Sequence, residues 1–414
     1  MVFGADGRHL RGVRPAVKYL ILNTEYPEFL DWLYTRHSGL EEKSYDEQLR
    51  VRNESLFGVA DFYSSNLRKL GHEAYDIHVN NEYLQKAWAR QRGVRLAEPT
   101  GLVPRLRGMV AQTRRLAART PLRRSKAVFL PVLRMLDRQQ PSWFYDILSA
   151  QIRQYRPDVL INQDMLQISG DFLREMKPYV RLLLGQHAAT RLGKAQEYDC
   201  YDLIISSFPP TVEYFRTNSI PAELNRMGFE PRVLACLPPR EGTYEVTFIG
   251  SFHGIHGGRR AFLEALCGQL DSRAQLHIWA PAVDQLPSGS PLRAHYRGGV
   301  WGRDMYHVLN CSRITLNHHG DVLPYANNMR LFEATGVGTL LLTDWKENLG
   351  EMFDPGKEVV AYRTPEECAE LIRYYLAHDD ERQAIARAGQ ARTLREHTYE
   401  QRTKELIALV HKYV

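Results

Sequence analysis

The sequence predicts an α/β protein built from two doubly wound, parallel-sheet domains that face each other across a cleft. Two observations predict this fold class. The chain of 414 residues is too long for one hydrophobic core and fits two domains of roughly 200 residues each. Short, nearly continuous apolar runs also alternate with segments of helical periodicity, which is typical of parallel strands covered by helices on both faces.

The first half of the chain predicts a sheet that begins with a βαβ unit. Helical spacing over residues 54–70 separates two apolar runs, so we expect one long helix between the first two strands. We assign residues 1–235 to this first domain. Its predicted strands lie at 17–23, 72–77, 157–162, 181–185 and 201–206.

The second half repeats the alternation, after a connector at 231–242 that contains three prolines. We assign residues 236–398 to the second domain, and we expect a last helix within 399–414 to return to the first domain. The predicted strands lie at 244–250, 275–280, 313–317, 339–343 and 358–362. The predicted helices lie at 258–269, 303–311, 328–335, 365–377, 381–389 and 399–413.

Composition indicates a soluble globular protein, with 44% hydrophobic and 25% charged residues. We expect no transmembrane helix and no signal peptide, because no run of 18 apolar residues is present and the N-terminus lacks an apolar segment. The five cysteines are scattered and form no C-x-x-C pair, which is typical of reduced thiols in the cytoplasm. We therefore expect a cytoplasmic protein.

A basic segment interrupts the first domain at about residues 85–140. Between Lys86 and Arg138 the sequence has 14 Lys or Arg residues and only two acids. Such a segment is either a solvated helical face or a surface for peripheral contact with an anionic membrane or an acidic acceptor. Nucleic acid is not an expected partner, because no zinc knuckle or RNA-binding aromatic motif is present.

The most informative motif is the predicted helix at 328–335, which Gly336 and Gly338 end before the next strand. Arg330 and Glu333 lie three positions apart, on one face of this helix and near its N-terminus. Two interpretations are open: an ordinary salt bridge on a surface helix, or a site where Arg330 binds phosphate and Glu333 binds ribose hydroxyls. Asn328 is expected to cap the helix, with Asn327 close to the same anion.

This helix, together with residues 244–251, 353–362 and 396–399, resembles the nucleotide-sugar-binding domain of GT-B glycosyltransferases. The CgeB-like group (spore maturation protein type) is the most similar. The resemblance implies a GT-B fold of two Rossmann-like domains and transfer of a sugar from a nucleotide-diphosphate sugar to an acceptor hydroxyl. The acceptor, a glycan, lipid or small molecule, is not identified, and the resemblance implies no metal and no cofactor besides the donor.

Two sequence features bear on that resemblance. Many retaining GT-B enzymes carry a first glutamate eight residues before the helix glutamate, and here that position is Tyr325. The stereochemical outcome therefore stays open. The chain has no D-x-D motif, which argues against the metal-dependent GT-A class.

Further donor-binding residues are expected where strands of the second domain end. Gly250 and Ser251 begin a glycine-rich turn that lets backbone N–H groups reach a phosphate, and Arg259 and Arg260 add positive charge. His319 follows another strand and is expected to contact the donor sugar, although loop residues that bond only one another are an equal alternative. His253 and His256 lack a third ligand, so no metal site is predicted.

In the first domain the expected catalytic residues are His187 and Asp164, each at the end of a predicted strand. Either one could take the proton of the acceptor hydroxyl, and the neutral-range pKa of histidine makes His187 the first choice. A structural histidine is the alternative interpretation. Glu25, after the first strand, is a weaker candidate.

Two other functions fit the same fold. A nucleotide-sugar epimerase would need carboxylates on both walls of the cleft and no acceptor. A non-catalytic binding protein with a degenerate site is the second alternative, and Tyr325 is the residue that suggests it.

Overall fold

The computed structural model describes residues 16–96, 140–187, 192–239, 243–252, 257–270, 274–320 and 324–413. Within these ranges the chain forms two parallel β-sheets flanked by helices, as the sequence predicts. Most of the basic segment (97–139), together with His253 and His256, lies outside the described residues. Its expected contacts with a membrane or an acidic acceptor therefore stay predictions.

The first sheet has six parallel strands in the order β2-β1-β3-β4-β5-β6. The strands are β1 (Lys18–Asn23), β2 (Glu73–His78), β3 (Val159–Asn162), β4 (Leu182–His187), β5 (Leu203–Ser206) and β6 (Ala222–Leu224). The helices of this half are α1 (Pro27–Arg36), α2 (Tyr45–Glu54), α3 (Phe62–Lys69), α4 (Glu82–Gln91), α5 (Ser142–Tyr155), α6 (Gly170–Met176) and α7 (Pro209–Thr217).

The second sheet has five parallel strands in the order β11-β10-β9-β7-β8. The strands are β7 (Tyr244–Ile249), β8 (Leu276–Trp279), β9 (Ser312–Asn317), β10 (Leu340–Asp344) and β11 (Val360–Tyr362). The helices are α8 (Gly257–Cys267), α9 (Gly302–Asn310), α10 (Arg330–Gly336), α11 (Pro365–Ala377), α12 (Asp379–Glu396) and α13 (Tyr399–Val410). Among the helices the structure describes, none is both long and apolar enough to cross a membrane.

The inner strands of the first sheet pack on both of their faces. Tyr19 and Ile21 of β1 belong to one core, and Leu20 and Leu22 belong to the core on the opposite face. This explains why the sequence shows continuous apolar runs instead of alternation. Because all neighbouring strands are parallel, their carboxyl ends lie along one edge of the sheet, where doubly wound proteins bind ligands.

One hydrophobic core joins the two halves of the chain. It contains Ile21 of the first sheet together with Tyr306 of α9 and Phe332 of α10. The final helix contributes Tyr399, whose ring lies 5.0 Å from the ring of Phe62 on α3. The predicted return of the C-terminal helix to the first domain is therefore confirmed.

The second half also meets the first through the segment that starts α9. Trp301 packs edge-on against Phe57, with ring centroids 4.9 Å apart, and the backbone N–H of Arg303 donates to the carbonyl oxygen of Ser55 over 2.8 Å. Gly302 allows this approach, because a Cβ atom there would lie 2.2 Å from the same Ser55 oxygen. It also adopts a left-handed φ of +56°.

The predicted helix over 54–70 is wrong in its first half. Helix α2 ends at Glu54 and α3 begins only at Phe62. Leu56 and Ala60 adopt positive φ values of 58° and 39°, which no α-helix contains. The periodic apolar residues are buried as expected, but the chain turns between them so that Phe57 reaches Trp301.

Candidate functional site

The second-sheet edge, which consists of the carboxyl ends of β7, β9 and β10, carries three of the predicted donor residues. Gly250 and Ser251 follow β7, His319 lies two residues beyond β9, and Asp344 ends β10. These strands are adjacent in the sheet, so their ends lie side by side. Gly250, Ser251 and His319 therefore lie at one edge, as the sequence predicts, and their contacts with a donor stay predictions.

Arg259 of α8 joins the ends of β7 and β9. Its Nη1 atom donates to the carbonyl oxygen of Ser251 over 2.7 Å, and its Nε and Nη2 atoms donate to that of His318 over 2.9 and 2.6 Å. The side chain is buried. Its bonds thus connect the residue after Gly250 to the residue after β9, and phosphate binding by Arg259 stays a prediction. Its neighbour Arg260 is half-buried.

Ser251 is held by a residue that the sequence did not single out. Gln285 accepts hydrogen bonds at its Oε1 atom from the Ser251 hydroxyl over 3.2 Å and from the backbone N–H of Phe252 over 2.9 Å. Nothing in the local sequence marks Gln285, because it lies in a short 3₁₀ segment after β8.

The asparagines before α10 form a network at the same edge. The Nδ2 group of Asn328 donates to Oδ1 of Asn317 over 2.7 Å, and Asn317 donates to Thr343 Oγ1 over 3.0 Å. The expected capping of α10 by Asn328 is wrong, because the helix begins at Arg330 and no side chain caps it. Asn327 has a buried Nδ2 group that finds no hydrogen-bond partner in the described part of the chain.

Arg330 and Glu333 form an ion pair, with 2.7 Å between Nη1 and Oε2. The pair is not the exposed surface bridge of the simpler interpretation, since the side chains are only 12% and 7% accessible. Burial raises the pKa of Glu333, and the adjacent guanidinium opposes that rise. Nη2 of Arg330 also contacts the Met305 sulfur of α9 at 3.4 Å.

A second buried cluster surrounds His319. Its Nδ1 atom lies 2.6 Å from Oδ1 of Asp344, and its backbone N–H donates to the same oxygen over 3.0 Å. Lys346 lies 3.1 Å from the other carboxylate oxygen. Burial alone would raise the pKa of Asp344, but the hydrogen bond from His319 and the nearby ammonium hold that pKa well below its usual range.

The sequence prediction missed Asp344 and Lys346. A usable signal was present, because Asp344 ends an apolar run just as Asn162 and Asn317 end theirs. The same rule that selected residues after other strands therefore applies to β10.

The contacts of His318 indicate a structural role. Its ring stacks on that of Phe262 with centroids 4.5 Å apart, and its Nδ1 atom lies 3.3 Å from the Tyr362 hydroxyl. Burial lowers the pKa of His318 to about 4, so this imidazole is neutral at pH 7.

The first-sheet edge, defined as the carboxyl ends of β1, β3 and β4, holds the predicted catalytic residues. Asp164 is half-buried and follows β3. Its Oδ2 atom accepts from the Thr24 hydroxyl over 2.8 Å, and its Oδ1 atom accepts from the backbone N–H of Leu166 over 3.1 Å. Each carboxylate oxygen keeps a further lone pair for a ligand.

His187 ends β4 but is only 3% accessible. Its ring packs edge-on against Tyr198 and Phe215, with centroids 6.4 and 6.3 Å apart. Strand alternation places it on the same face as Leu183, within the core under α7. The predicted catalytic role of His187 stays a prediction, and this packing favours the structural alternative.

Glu25 lies in a buried ionic cluster. Its Oε1 atom is 2.6 Å from Nε of Arg52 and 2.7 Å from Nδ1 of His78, and the three side chains are at most 2% accessible. Burial alone would raise the pKa of Glu25, but the Arg52 guanidinium and the His78 hydrogen bond lower it to about 2. An already ionised, doubly paired carboxylate is a weak base, so Glu25 is a poor candidate for catalysis.

Comparisons with known proteins agree with this architecture. Residues 259–408 match a family model described as glycosyl transferase-like. No curated protein sequence matches the chain significantly. Solved structures do: HepE (Alr3699) of Anabaena in complex with UDP-glucose has a TM-score of 0.58 at 10% identity, over 96% of this chain and 100% of that one.

Two further structures match over nearly the whole chain. A glycosyltransferase of Rickettsia africae has a TM-score of 0.55 at 9% identity, over 96% of this chain and 98% of that one. AviGT4, a glycosyltransferase involved in avilamycin A biosynthesis, has a TM-score of 0.50 at 12% identity, with coverages of 96% and 98%. At such identities the likeness establishes the fold, which is the GT-B arrangement of two parallel-sheet, Rossmann-like domains.

The Glu25 cluster generates a pH-dependent prediction. A pKa near 2 in the folded state, against an ordinary 4.5, means that the ionised carboxylate stabilises the fold above pH 4.5. This stabilisation is lost as the pH falls from 4.5 towards 2. Glu25→Gln should lower the stability at pH 7 by roughly 3–5 kcal/mol, because it leaves Arg52 buried without its partner.

Denaturant melts at several pH values test this prediction. The difference in unfolding free energy between wild type and Glu25→Gln should shrink as the pH approaches 2. Glu73→Gln is the matched control, because Glu73 pairs with Lys18 in an exposed bridge worth under about 1 kcal/mol. A Glu25→Gln protein as stable as the control at pH 7 contradicts the assignment.

Proposed function

We propose that the protein is a glycosyltransferase of the CgeB-like group, which transfers a sugar from a nucleotide-diphosphate donor to an acceptor hydroxyl. The observation that carries the proposal is the buried Arg330–Glu333 pair at the start of α10, beside the second-sheet edge. The pair lies within residues 259–408, the part of the chain that matches the glycosyl transferase-like family model.

The chemistry of this edge suits a nucleotide diphosphate. Glu333 is a carboxylate whose Oε2 atom faces Arg330, and its other oxygen can accept ribose hydroxyls without breaking the pair. Arg330 and the half-buried Arg260 supply the positive charge that a diphosphate requires. The complexes of HepE with UDP-glucose and with UDP support this choice of donor class.

The first-sheet edge suits the acceptor. We propose Asp164 as the base, because it is half-buried and oriented by Thr24, whereas His187 is enclosed by aromatic rings. In the reaction the acceptor O–H gives its proton to Asp164 while its oxygen bonds to the anomeric carbon. The bond from that carbon to the diphosphate oxygen breaks, and the nucleotide diphosphate leaves.

Exposed apolar side chains flank Asp164. Tyr26, after β1, is 64% accessible and Leu166, after β3, is 60% accessible. An acceptor that places a hydroxyl at Asp164 would cover both residues. This arrangement suits an acceptor with an apolar face, either a glycan or a lipid.

A binding protein with a degenerate site is the second candidate function, and one observation favours it. Tyr325 occupies the position of the first acid of the retaining enzymes, and its ring packs edge-on against Phe208 of the first half, with centroids 6.0 Å apart. Tyr325 thus makes an aromatic contact between the halves at the position where the resemblance would place a carboxylate. Measurable turnover with any acceptor excludes this candidate.

Glu333→Gln should weaken binding of a nucleotide diphosphate by roughly 10–100-fold, because hydrogen bonds to a charged carboxylate contribute about 1.5–3 kcal/mol each. Thermal shift with UDP, GDP, ADP and dTDP identifies the nucleotide, and titration calorimetry then measures its Kd. Glu370→Ala, on the exposed face of α11, is the control and should bind like wild type. Equal affinities of the wild type and Glu333→Gln contradict the ribose role.

We propose that transfer needs no metal ion, because Arg330 and Arg260 can neutralise the departing diphosphate. Turnover should therefore persist in excess EDTA, with kcat unchanged within about twofold. The measurement is release of the nucleotide diphosphate in the presence of an acceptor mixture of glycans or lipids. Loss of activity in EDTA, with recovery on adding Mn²⁺ or Mg²⁺, contradicts metal independence.

Asp164→Asn should lower kcat by roughly 10²–10⁴ while leaving nucleotide affinity unchanged, because only the proton acceptor is lost. His187→Gln is the comparison that separates the two candidate bases. Its packing against Tyr198 and Phe215 predicts a lower melting temperature but a kcat within about tenfold of wild type. If His187→Gln lowers kcat more than Asp164→Asn does, His187 is the catalytic base instead of Asp164.

A further inference from the structure

The His319 cluster has one feature that neither the fold nor its own hydrogen bonds explain. His319 is 4% accessible, yet its Nε2 atom finds no hydrogen-bond partner in the described ranges of the chain. A buried polar nitrogen without a partner costs free energy, and native proteins nearly always pair such groups. At a ligand-binding edge, the missing partner is most simply the ligand itself.

The rest of the cluster fixes which form of the imidazole is presented. Asp344 is ionised and can only accept hydrogen bonds, so Nδ1 of His319 carries a proton and donates it over 2.6 Å. In the neutral ring the Nε2 atom then bears the lone pair. That atom accepts a hydrogen bond from a hydroxyl group and cannot donate one to a phosphate oxygen.

Asp344 is itself held in place from two sides. Lys346 lies 3.1 Å from its Oδ2 atom, and the Thr343 hydroxyl donates to its Oδ1 atom over 3.4 Å. Asp344 ends β10 and His319 follows β9, two hydrogen-bonded neighbours in the sheet. The ring orientation is therefore determined by two strands of the scaffold and not by a loop alone.

We propose that Asp344 is a positioning residue which, with Lys346, presents His319 Nε2 as an acceptor for a hydroxyl group of the transferred sugar. This inference rests on the proposed function and deepens it. The proposed function assigns the ribose to Glu333 on α10 and the diphosphate to Arg330 and Arg260. The His319 cluster is a separate group at the adjacent ends of β9 and β10, which leaves it for the sugar.

A site built around a hydroxyl discriminates strongly between ligands with and without that group, because its buried acceptor is otherwise left unpaired. The proposal therefore separates two affinities. Loss of the cluster should weaken binding of the nucleotide sugar and spare binding of the nucleotide diphosphate, which has its ribose but lacks the sugar that is transferred.

The test measures Kd by calorimetry for two probes: the nucleotide diphosphate that stabilises the wild type most, among UDP, GDP, ADP and dTDP, and its glucose conjugate. The variants are His319→Ala and Asp344→Asn. An asparagine amide can donate to Nδ1, which moves the ring proton to Nε2 and removes the acceptor. Asp354→Asn is the matched control, because Asp354 pairs with Lys357 on the surface, with no histidine at that pair.

In both cluster variants the ratio of the sugar-conjugate Kd to the diphosphate Kd should rise about tenfold or more above the wild-type ratio. The diphosphate Kd should stay within about twofold in all variants, which also shows that each variant is folded. Asp354→Asn should keep the wild-type ratio. His319→Gln has an amide that reaches about as far as Nε2, so its Kd ratio should return part of the way to the wild-type value.

An unchanged ratio in Asp344→Asn overturns the positioning role, and an equal loss of both affinities overturns the sugar assignment in favour of a diphosphate contact. Failure of the proposed function is distinguishable from either outcome. If none of the four nucleotides binds the wild type, the donor class itself is wrong, and the assignment of His319 falls with it.

Discussion

The arrangement of the two halves depends on the contacts of one residue, Phe229. Its N–H donates to the carbonyl oxygen of His397 over 2.8 Å, and its own carbonyl accepts from the N–H of Tyr399 over 2.9 Å. Its ring lies against Gly336, where a Cβ atom would come within 2.4 Å of it. The chain just before the connector, α10 and the start of the returning helix are thus fixed together, and α10 carries Arg330 and Glu333. The placement of Arg330 and Glu333 is therefore coupled to how the chain returns to its first domain.

Charge explains why the two sheet edges suit different ligands. Among the described residues, the second-sheet edge and the adjoining helices bring together four cations and two carboxylates: Arg259, Arg260, Arg330 and Lys346, with Glu333 and Asp344. His318 is neutral at pH 7, and the other named side chains give this edge an excess of positive charge that favours a polyanion. At the first-sheet edge, Asp164 lies beside exposed apolar groups. This environment suits a neutral acceptor whose hydroxyl must lose a proton.

The sequence predicted the strands well because two-sided burial leaves a direct signature, a run of apolar residues that ends in a polar one. It failed where the result depends on backbone geometry or strand partners. Leu56 and Ala60 keep helical spacing but adopt left-handed φ values, which composition does not reveal. His187 does lie at the end of a strand, as predicted. Side chains alternate along that strand, however, so His187 points to the opposite face from Gln186 and packs in the aromatic core. The sequence alone does not reveal which face is covered, because that depends on the neighbouring strands and helices. Asp344 also ends an apolar run, so the strand-end rule applies to it, but the sequence prediction did not include it.

The Arg330–Glu333 pair shows why spacing alone left two interpretations open. On an exposed helix an i,i+3 pair contributes a few tenths of a kcal/mol and needs no ligand to explain it. Here both side chains are nearly inaccessible, so each charge loses hydration that one partner does not fully replace. Neutral ribose hydroxyls can donate to Glu333 without adding charge, and a phosphate can accept from the guanidinium on its other side. A ligand of that composition therefore supplies both missing interactions at once, whereas a structural salt bridge gains nothing from being buried in this position.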